Sequence, residues 1–95
     1  ITCGRLLAYR AADAAINGSS DQRLLTSMAK MFCTEMAMRV TSHGIQILGA
    51  LGLAREAGME RLFRDARMLT VPDGPTQIQQ LIIGRELTGL NAIRG

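Results

Sequence analysis

The chain has 95 residues, of which 47% are hydrophobic, and a formal net charge of +3. This length suits one small domain, whose high surface-to-volume ratio would leave a core of its own only marginally stable. Its positive charges are dispersed among acidic residues and only 3% of its residues are aromatic, so we expect no nucleic-acid-binding surface. The stretch 40–54, which lacks Asp, Glu, Lys and Arg, is too short and too polar to cross a bilayer. With no signal-peptide pattern at its start, the chain is expected to be neither secreted nor membrane-spanning.

The N-terminal half of the sequence predicts two helices. In residues 1–16 apolar side chains recur at spacings of three and four, and Asn17-Gly18 is typical of a helix stop. Residues 19–21 offer hydroxyl and carboxylate oxygens as N-caps for the next helix. An apolar stripe of helical period over residues 24–48 marks that second helix, which we expect to end near Gly49.

Three charged residues lie on the flanks of the apolar stripe of the second helix. They are Lys30, Glu35 and Arg39. Glu35 and Arg39 have the i,i+4 spacing at which oppositely charged side chains attract each other on a helix, so an ion pair is predicted between them.

The C-terminal half predicts two shorter helices separated by a turn. Residues 59–68 form the third helix, and the Pro-Asp-Gly-Pro sequence 72–75 excludes helix interior because it contains two prolines. A final helix begins near Thr76, whose hydroxyl can serve as its N-cap. The sequence shows no strand-like alternation and no internal repeat, so the predicted fold class is all-α, an antiparallel helical bundle.

No metal site is predicted from the sequence. Cys3 and Cys33 are the only cysteines, and their wide separation fits no zinc-binding pattern, so we interpret them as free thiols within helices. His43 is the only histidine. Because no second ligand or nucleophile lies at a useful spacing from it, we interpret it as a polar residue near the end of the second helix.

Five stretches carry a more specific signal through their joint order and spacing. They read MAK at 28–30, TEMAMRV at 34–40, IQILG at 45–49, ERL and RDAR within 60–67, and QIQ with IIGRE within 77–86. Together they resemble the C-terminal domain of the acyl-CoA dehydrogenase family. The resemblance implies the later part of a four-helix domain, which an N-terminal helical domain and a middle β domain precede in the family. We therefore expect residues 1–95 to be a fragment of that domain, without its first helix or the upstream domains.

The resemblance implies FAD as the cofactor and a contact with it at the end of the second helix. In the family a Gln-x-x-Gly-Gly turn from a neighbouring subunit lies against the ADP half of FAD. The matching cofactor-binding residues are Gln46, Ile47, Leu48, Gly49 and Ala50. Glycine lets a backbone approach a phosphate or ribose closely, and the glutamine amide adds hydrogen bonds. Ala50 replaces the second glycine of the turn, and Gly49 on its own is also an ordinary helix stop.

The catalytic base is implied to lie in the turn before the last helix. Asp73-Gly74 stands where the family has its catalytic Glu-Gly. A carboxylate is a natural base for the proton α to a thioester carbonyl once the site excludes water. Asp73 is shorter than the usual glutamate by one methylene, although aspartate occurs at this position in some branches, including the related nitroalkane oxidases. Without the resemblance, Asp before Gly and Pro is ordinary turn chemistry.

The remaining implied site residues follow the base. Pro75, Thr76 and Gln77 match the flavin-contacting Thr-x-Gln/Glu stretch of the family, with Pro75 in place of the usual threonine. Gly74 and Arg85 are implied as substrate-binding residues. For Arg85 the alternative is an arginine on a face of the bundle with its stem covered by neighbours.

Three functional hypotheses follow from the resemblance. The first is oxidation of an acyl-CoA thioester by FAD within a homotetramer, with electrons passed to an electron-transfer flavoprotein in the bacterial cytoplasm or the mitochondrial matrix. The second is a nitroalkane-oxidase-like branch with an aspartate base. The third is a non-catalytic helical module that only assembles. The expected lack of the upstream half supports it, and the isolated fragment is expected to be inactive.

Overall fold

The computed structural model describes residues 1–72 and 74–91, and this part of the chain is helical without any strand. The elements are α1 (Thr2–Ile16), α2 (Gln22–Leu48), α3 (Ala50–Leu53), a 3₁₀ turn (Arg55–Ala57), α4 (Met59–Leu69) and α5 (Thr76–Thr88). The all-α prediction is therefore confirmed. The short α3 and the 3₁₀ turn were not predicted, because so few residues cannot show a helical spacing of apolar side chains.

Helix α2 is the common partner of the other long helices. Within the described residues, α1, α4 and α5 each pack against α2 and make no contact with one another. The described part of the chain measures 48 × 29 × 17 Å. Its smallest dimension is less than two helix diameters, so the long helices form little more than one layer around α2.

Few side chains are buried by this arrangement. The buried hydrophobic residues are Ala11, Ala14 and Ala66, and none of the large side chains described is fully buried. Many large apolar side chains are exposed instead, among them Leu6, Tyr9, Ile16, Ile47, Leu53, Leu87 and Leu90. Apolar surface of this extent normally marks a face that another helix or subunit covers.

The predicted helix ends agree with the structure. Gly18, after α1, and Gly49, after α2, have φ values of +63° and +64°, which glycine adopts without steric cost. The predicted side-chain cap of α2 is wrong. Asp21 at the N-cap has φ −84° and ψ 0° and makes no side-chain cap bond, whereas capping side chains sit on extended backbone. The Ser19 hydroxyl instead accepts a 3.3 Å hydrogen bond from the Asp21 N–H.

No helix within residues 1–72 and 74–91 combines the length and the apolar character that crossing a bilayer requires. This agrees with the charged residues that interrupt α2.

Candidate functional site

The turn between α4 and α5 is tied to α2 by long-range hydrogen bonds. The Lys30 ammonium donates to the backbone carbonyl oxygens of Pro72 at 3.0 Å and Gly74 at 2.6 Å. Gln79, from the first turns of α5, donates its side-chain amide to the same Gly74 oxygen at 3.0 Å. The sequence places Lys30 on a helix flank and within the MAK stretch at 28–30, and it is the one lysine in the chain, but none of these features predicts its contact with the turn. The structure makes it the anchor of the turn.

Gly74 is a position that only glycine fills comfortably. Its φ is +89°, and a Cβ built on it would lie 2.6 Å from Gln79 Nε2. Gln79 is only 7% exposed, so its amide has little room to retreat. The predicted base, Asp73, lies outside the described residues.

Thr76, the first residue of α5, is fixed by two bonds. Its hydroxyl donates to Glu35 Oε1 at 2.6 Å, and its backbone N–H donates to the carbonyl of Thr70 at 3.3 Å. The predicted Glu35–Arg39 ion pair is wrong, and the Thr76 side-chain cap is also absent from the described residues. The reason is that the Glu35 carboxylate lies against α5 and accepts a hydrogen bond from the Thr76 hydroxyl.

An open groove of about 490 Å³ lies between α2 and the start of α5. Its lining residues are Met31, Phe32, Glu35, Arg39, Thr76, Gln77 and Gln80. The groove brings two of the predicted flavin contacts, Thr76 and Gln77, next to a carboxylate and a guanidinium. The charged Glu35 and Arg39 lie beside the apolar side chains of Met31 and Phe32. Such a lining suits a ligand that has an aromatic body and polar edges.

The predicted flavin turn at the end of α2 is an exposed corner. Residues 46–50 are all exposed, and the Gly49 N–H donates to the Gln46 carbonyl at 3.3 Å. A Cβ built on Gly49 meets nothing within 4 Å, so the backbone there is open to close approach by a ligand. Ala50 begins α3, a conformation in which its methyl group causes no strain.

This corner lies far from the turn that carries position 73. Gln46 follows Lys30 by sixteen residues of α2, which corresponds to about 24 Å along the helix axis. The structure therefore does not join the two predicted parts of the site within one chain.

Arg85 is also separated from the turn. It is exposed and lines a second groove with Gln80, Leu81, Gly84, Thr88, Leu90 and Asn91. It follows Thr76 by nine residues of α5, about 13 Å along the helix axis. Arg85 consequently lies on the same helix as the turn but not beside it.

Comparison with known proteins decides the family. The sequence profile described as "Acyl-CoA dehydrogenase, C-terminal domain" matches residues 1–88. The chain belongs to the acyl-CoA dehydrogenase family. Its described helices, from α1 to the end of α5, fall within the matched region.

Several relatives of this acyl-CoA dehydrogenase chain have specific names. It is 38% identical over 87 residues to a cyclohexane-1-carbonyl-CoA dehydrogenase of Syntrophus aciditrophicus, covering 92% of this chain and 22% of the relative. A protein of the same name from Geobacter metallireducens is 39% identical, with 92% and 23% covered. A probable acyl-CoA dehydrogenase of Bacillus subtilis, YngJ, is 44% identical over 59 residues, covering 62% of this chain and 16% of the relative.

A solved structure has the same fold as this acyl-CoA dehydrogenase chain. It is described as an electron transferring flavoprotein of Acidaminococcus fermentans, with a TM-score of 0.87 and 30% identity over 92% of this chain and 23% of that chain. Like the first curated relatives, it is much longer than the region it shares with this chain, which spans less than a quarter of their length.

Proposed function

We propose that this chain is the C-terminal helical domain of a flavin-dependent acyl-CoA dehydrogenase that oxidises an acyl-CoA thioester. Support comes from the family membership over residues 1–88 and from the names of the relatives, which are dehydrogenases of CoA thioesters. The observation that carries the proposal is the turn before α5, whose carbonyls on both sides of position 73 are held by Lys30. A turn held in this way can present a catalytic group in one direction.

Asp73 is the proposed base. Its carboxylate would remove the proton from the carbon α to the thioester carbonyl, and bound FAD would be the acceptor for the hydride of the β carbon. Desolvation by bound substrate raises the basicity of a carboxylate, and this opposes the weaker stabilisation of its charge by the nearby α5 N-terminus. Gly74 is also proposed to bind the substrate, although the Gln79 amide fills the space that a side chain at Gly74 would occupy. Arg85, further along α5, is proposed to contact a part of the substrate remote from the reacting carbons.

Two surfaces of this chain are proposed to contact FAD. The corner formed by Gln46, Ile47, Leu48, Gly49 and Ala50 offers open backbone at Gly49 and an exposed amide at Gln46. Because it lies far from the turn, we propose that it contacts FAD bound to a neighbouring subunit. FAD supplies the hydride acceptor of the reaction.

The second surface is the groove at the start of α5. Pro75, Thr76 and Gln77 are the proposed contacts there, and the exposed Gln77 amide is suited to hydrogen bonds with a flavin edge. The Thr76 hydroxyl is committed to Glu35, so its proposed role is to hold the start of α5 in place.

The proposed assembly is a homo-oligomer, which the family resemblance implies to be a tetramer of the full-length protein. The uncovered apolar side chains of α1, α2 and α5 support it. The proposed electron acceptor is an electron-transfer flavoprotein, and the proposed location is the bacterial cytoplasm or the mitochondrial matrix. The same uncovered faces also favour a second candidate, a module that assembles without catalysing a reaction.

The test is anaerobic stopped-flow reduction of the full-length protein by a saturated acyl-CoA. Asp73→Asn should bind FAD and substrate but reduce the flavin about 10²–10⁴-fold more slowly, the usual contribution of a general base. Asp73→Glu should keep measurable activity. Asp13→Asn is the matched control, because Asp13 is an exposed carboxylate on α1.

Bleaching of the flavin by Asp73→Asn at the wild-type rate would refute the assignment of the base. A wild-type protein that is not bleached by acyl-CoA, but that consumes oxygen with nitroalkanes, would favour the nitroalkane-oxidase-like alternative. A full-length protein that assembles without flavin would favour the assembly module.

A further inference from the structure

Lys30 makes a long-range connection in the fold to which the proposed reaction assigns no role. It is the only lysine in the chain, and it is half-buried on α2 with its ammonium directed at the turn before α5. The carbonyls that it binds lie 42 and 44 residues further along the chain. A lysine on a solvated flank would keep its ammonium in water, whereas Lys30 is held in one conformation by two backbone acceptors.

The two acceptors flank a single position. Pro72 O belongs to the peptide unit that leads into residue 73, and Gly74 O lies one residue beyond it. Because a peptide unit is planar, holding its carbonyl also restricts rotation of the unit as a whole. Gln79 adds a second donor to Gly74 O. The Pro72 carbonyl is thus held from α2, and the Gly74 carbonyl is held from both α2 and α5.

Lysine suits this geometry better than arginine does. An ammonium places three donors around one nitrogen and can serve two carbonyls that converge on it, while a guanidinium presents a planar fork suited to coplanar acceptors. All other permanently charged basic residues of the chain are arginines. The one lysine of the sequence therefore stands at a position where two convergent backbone oxygens share one point-like donor.

We propose that Lys30 is a positioning residue for the catalytic base: by clamping the carbonyls of Pro72 and Gly74, it sets the direction of the residue 73 carboxylate before substrate binds. This inference rests on the proposed function, in which Asp73 is the base. Lys30 touches neither substrate nor the reacting atoms. Its loss should therefore slow proton abstraction while leaving the binding of substrate largely intact.

The experiment uses the full-length flavoprotein with Lys30→Met, which keeps an unbranched stem and removes the three donors. Flavin reduction by a saturated acyl-CoA should slow by about a hundredfold, as expected for a displacement of a catalytic group by roughly 1 Å. The kinetic isotope effect with substrate deuterated at the α carbon should increase, because proton abstraction becomes more fully rate-limiting. The dissociation constant for a non-reactive thioether analogue of the substrate should stay unchanged.

A second readout does not depend on activity. Hydrogen exchange in a peptide that covers residues 70–79 should be faster in Lys30→Met and unchanged in Arg10→Met. Arg10→Met is the matched control because Arg10 is an exposed cation on α1 whose ion-pair partner, Asp13, lies on the same helix. Lys30→Arg should recover only part of the lost rate, since it restores the charge but not the convergent donors.

The outcomes separate this inference from the function on which it rests. Loss of activity in Asp73→Asn with wild-type flavin reduction in Lys30→Met would overturn the role of Lys30 alone. Wild-type reduction in Asp73→Asn would overturn both. If Lys30→Met fails to fold, the test uses Lys30→Arg and Gln79→Met. Unchanged rates of flavin reduction and unchanged isotope effects in both variants would overturn the proposal. Slower reduction with a larger isotope effect would support it.

Discussion

Replacing Gly74 by alanine tests whether the turn before α5 is held as tightly as its contacts indicate. Gly74 has a φ of +89°, and a Cβ at this position would lie 2.6 Å from the side-chain nitrogen of Gln79. The left-handed backbone costs a residue with a Cβ about 1–2 kcal/mol. Displacing the Gln79 amide breaks its hydrogen bond to Gly74 O, which costs about 0.5–1.5 kcal/mol more. The free energy of unfolding should therefore fall by about 1.5–3.5 kcal/mol in Gly74→Ala.

Gly84→Ala is the matched control for this substitution. Gly84 lies inside α5, and a Cβ built there meets nothing within 4 Å. Alanine should raise the free energy of unfolding at this position by up to about 1 kcal/mol, the difference in helix propensity between the two residues. Urea unfolding followed by far-ultraviolet circular dichroism, at one fixed protein concentration, measures both. Equal unfolding midpoints for the two variants would refute the reasoning about the turn.

Two further predictions concern the surfaces left open by the fold. The 95-residue chain alone should self-associate, because its large apolar side chains are exposed; multi-angle light scattering that shows a stable monomer at high concentration would contradict this. In the full-length protein, Gln46→Ala should lower the retention of FAD while the helical content stays constant, because the exposed Gln46 amide is a proposed flavin contact. Flavin absorbance after gel filtration measures this, with Gln22→Ala as control, and full retention in Gln46→Ala would argue against the proposed corner.

The helices and their ends were largely predictable because they depend on local features. The apolar period over residues 24–48 predicted α2, and glycines at 18 and 49 predicted where helices end. The prolines at 72 and 75 predicted the turn, since proline cannot occupy a helix interior. Each of these signals acts within a few residues and needs no partner elsewhere in the chain.

The residues proposed for the site were only partly predictable. Position 73 and the Gln46 corner were identified through the resemblance, and their roles stay proposals. Propensity alone suggested a Thr76 cap and a Glu35–Arg39 pair, because both rules consider only neighbours on one helix. The structure replaced both with one contact between Glu35 and Thr76, which are 41 residues apart.

What the sequence by itself determined is therefore the four long helices, their approximate ends and the family to which the chain belongs. What only the tertiary structure decided is which polar groups meet. Lys30 is separated from Pro72 and Gly74 by more than forty residues, so no periodicity or spacing rule could pair them. The pairing follows from packing α5 against α2, which carries the turn to the Lys30 ammonium. There the Lys30 ammonium donates hydrogen bonds to the carbonyls of Pro72 and Gly74.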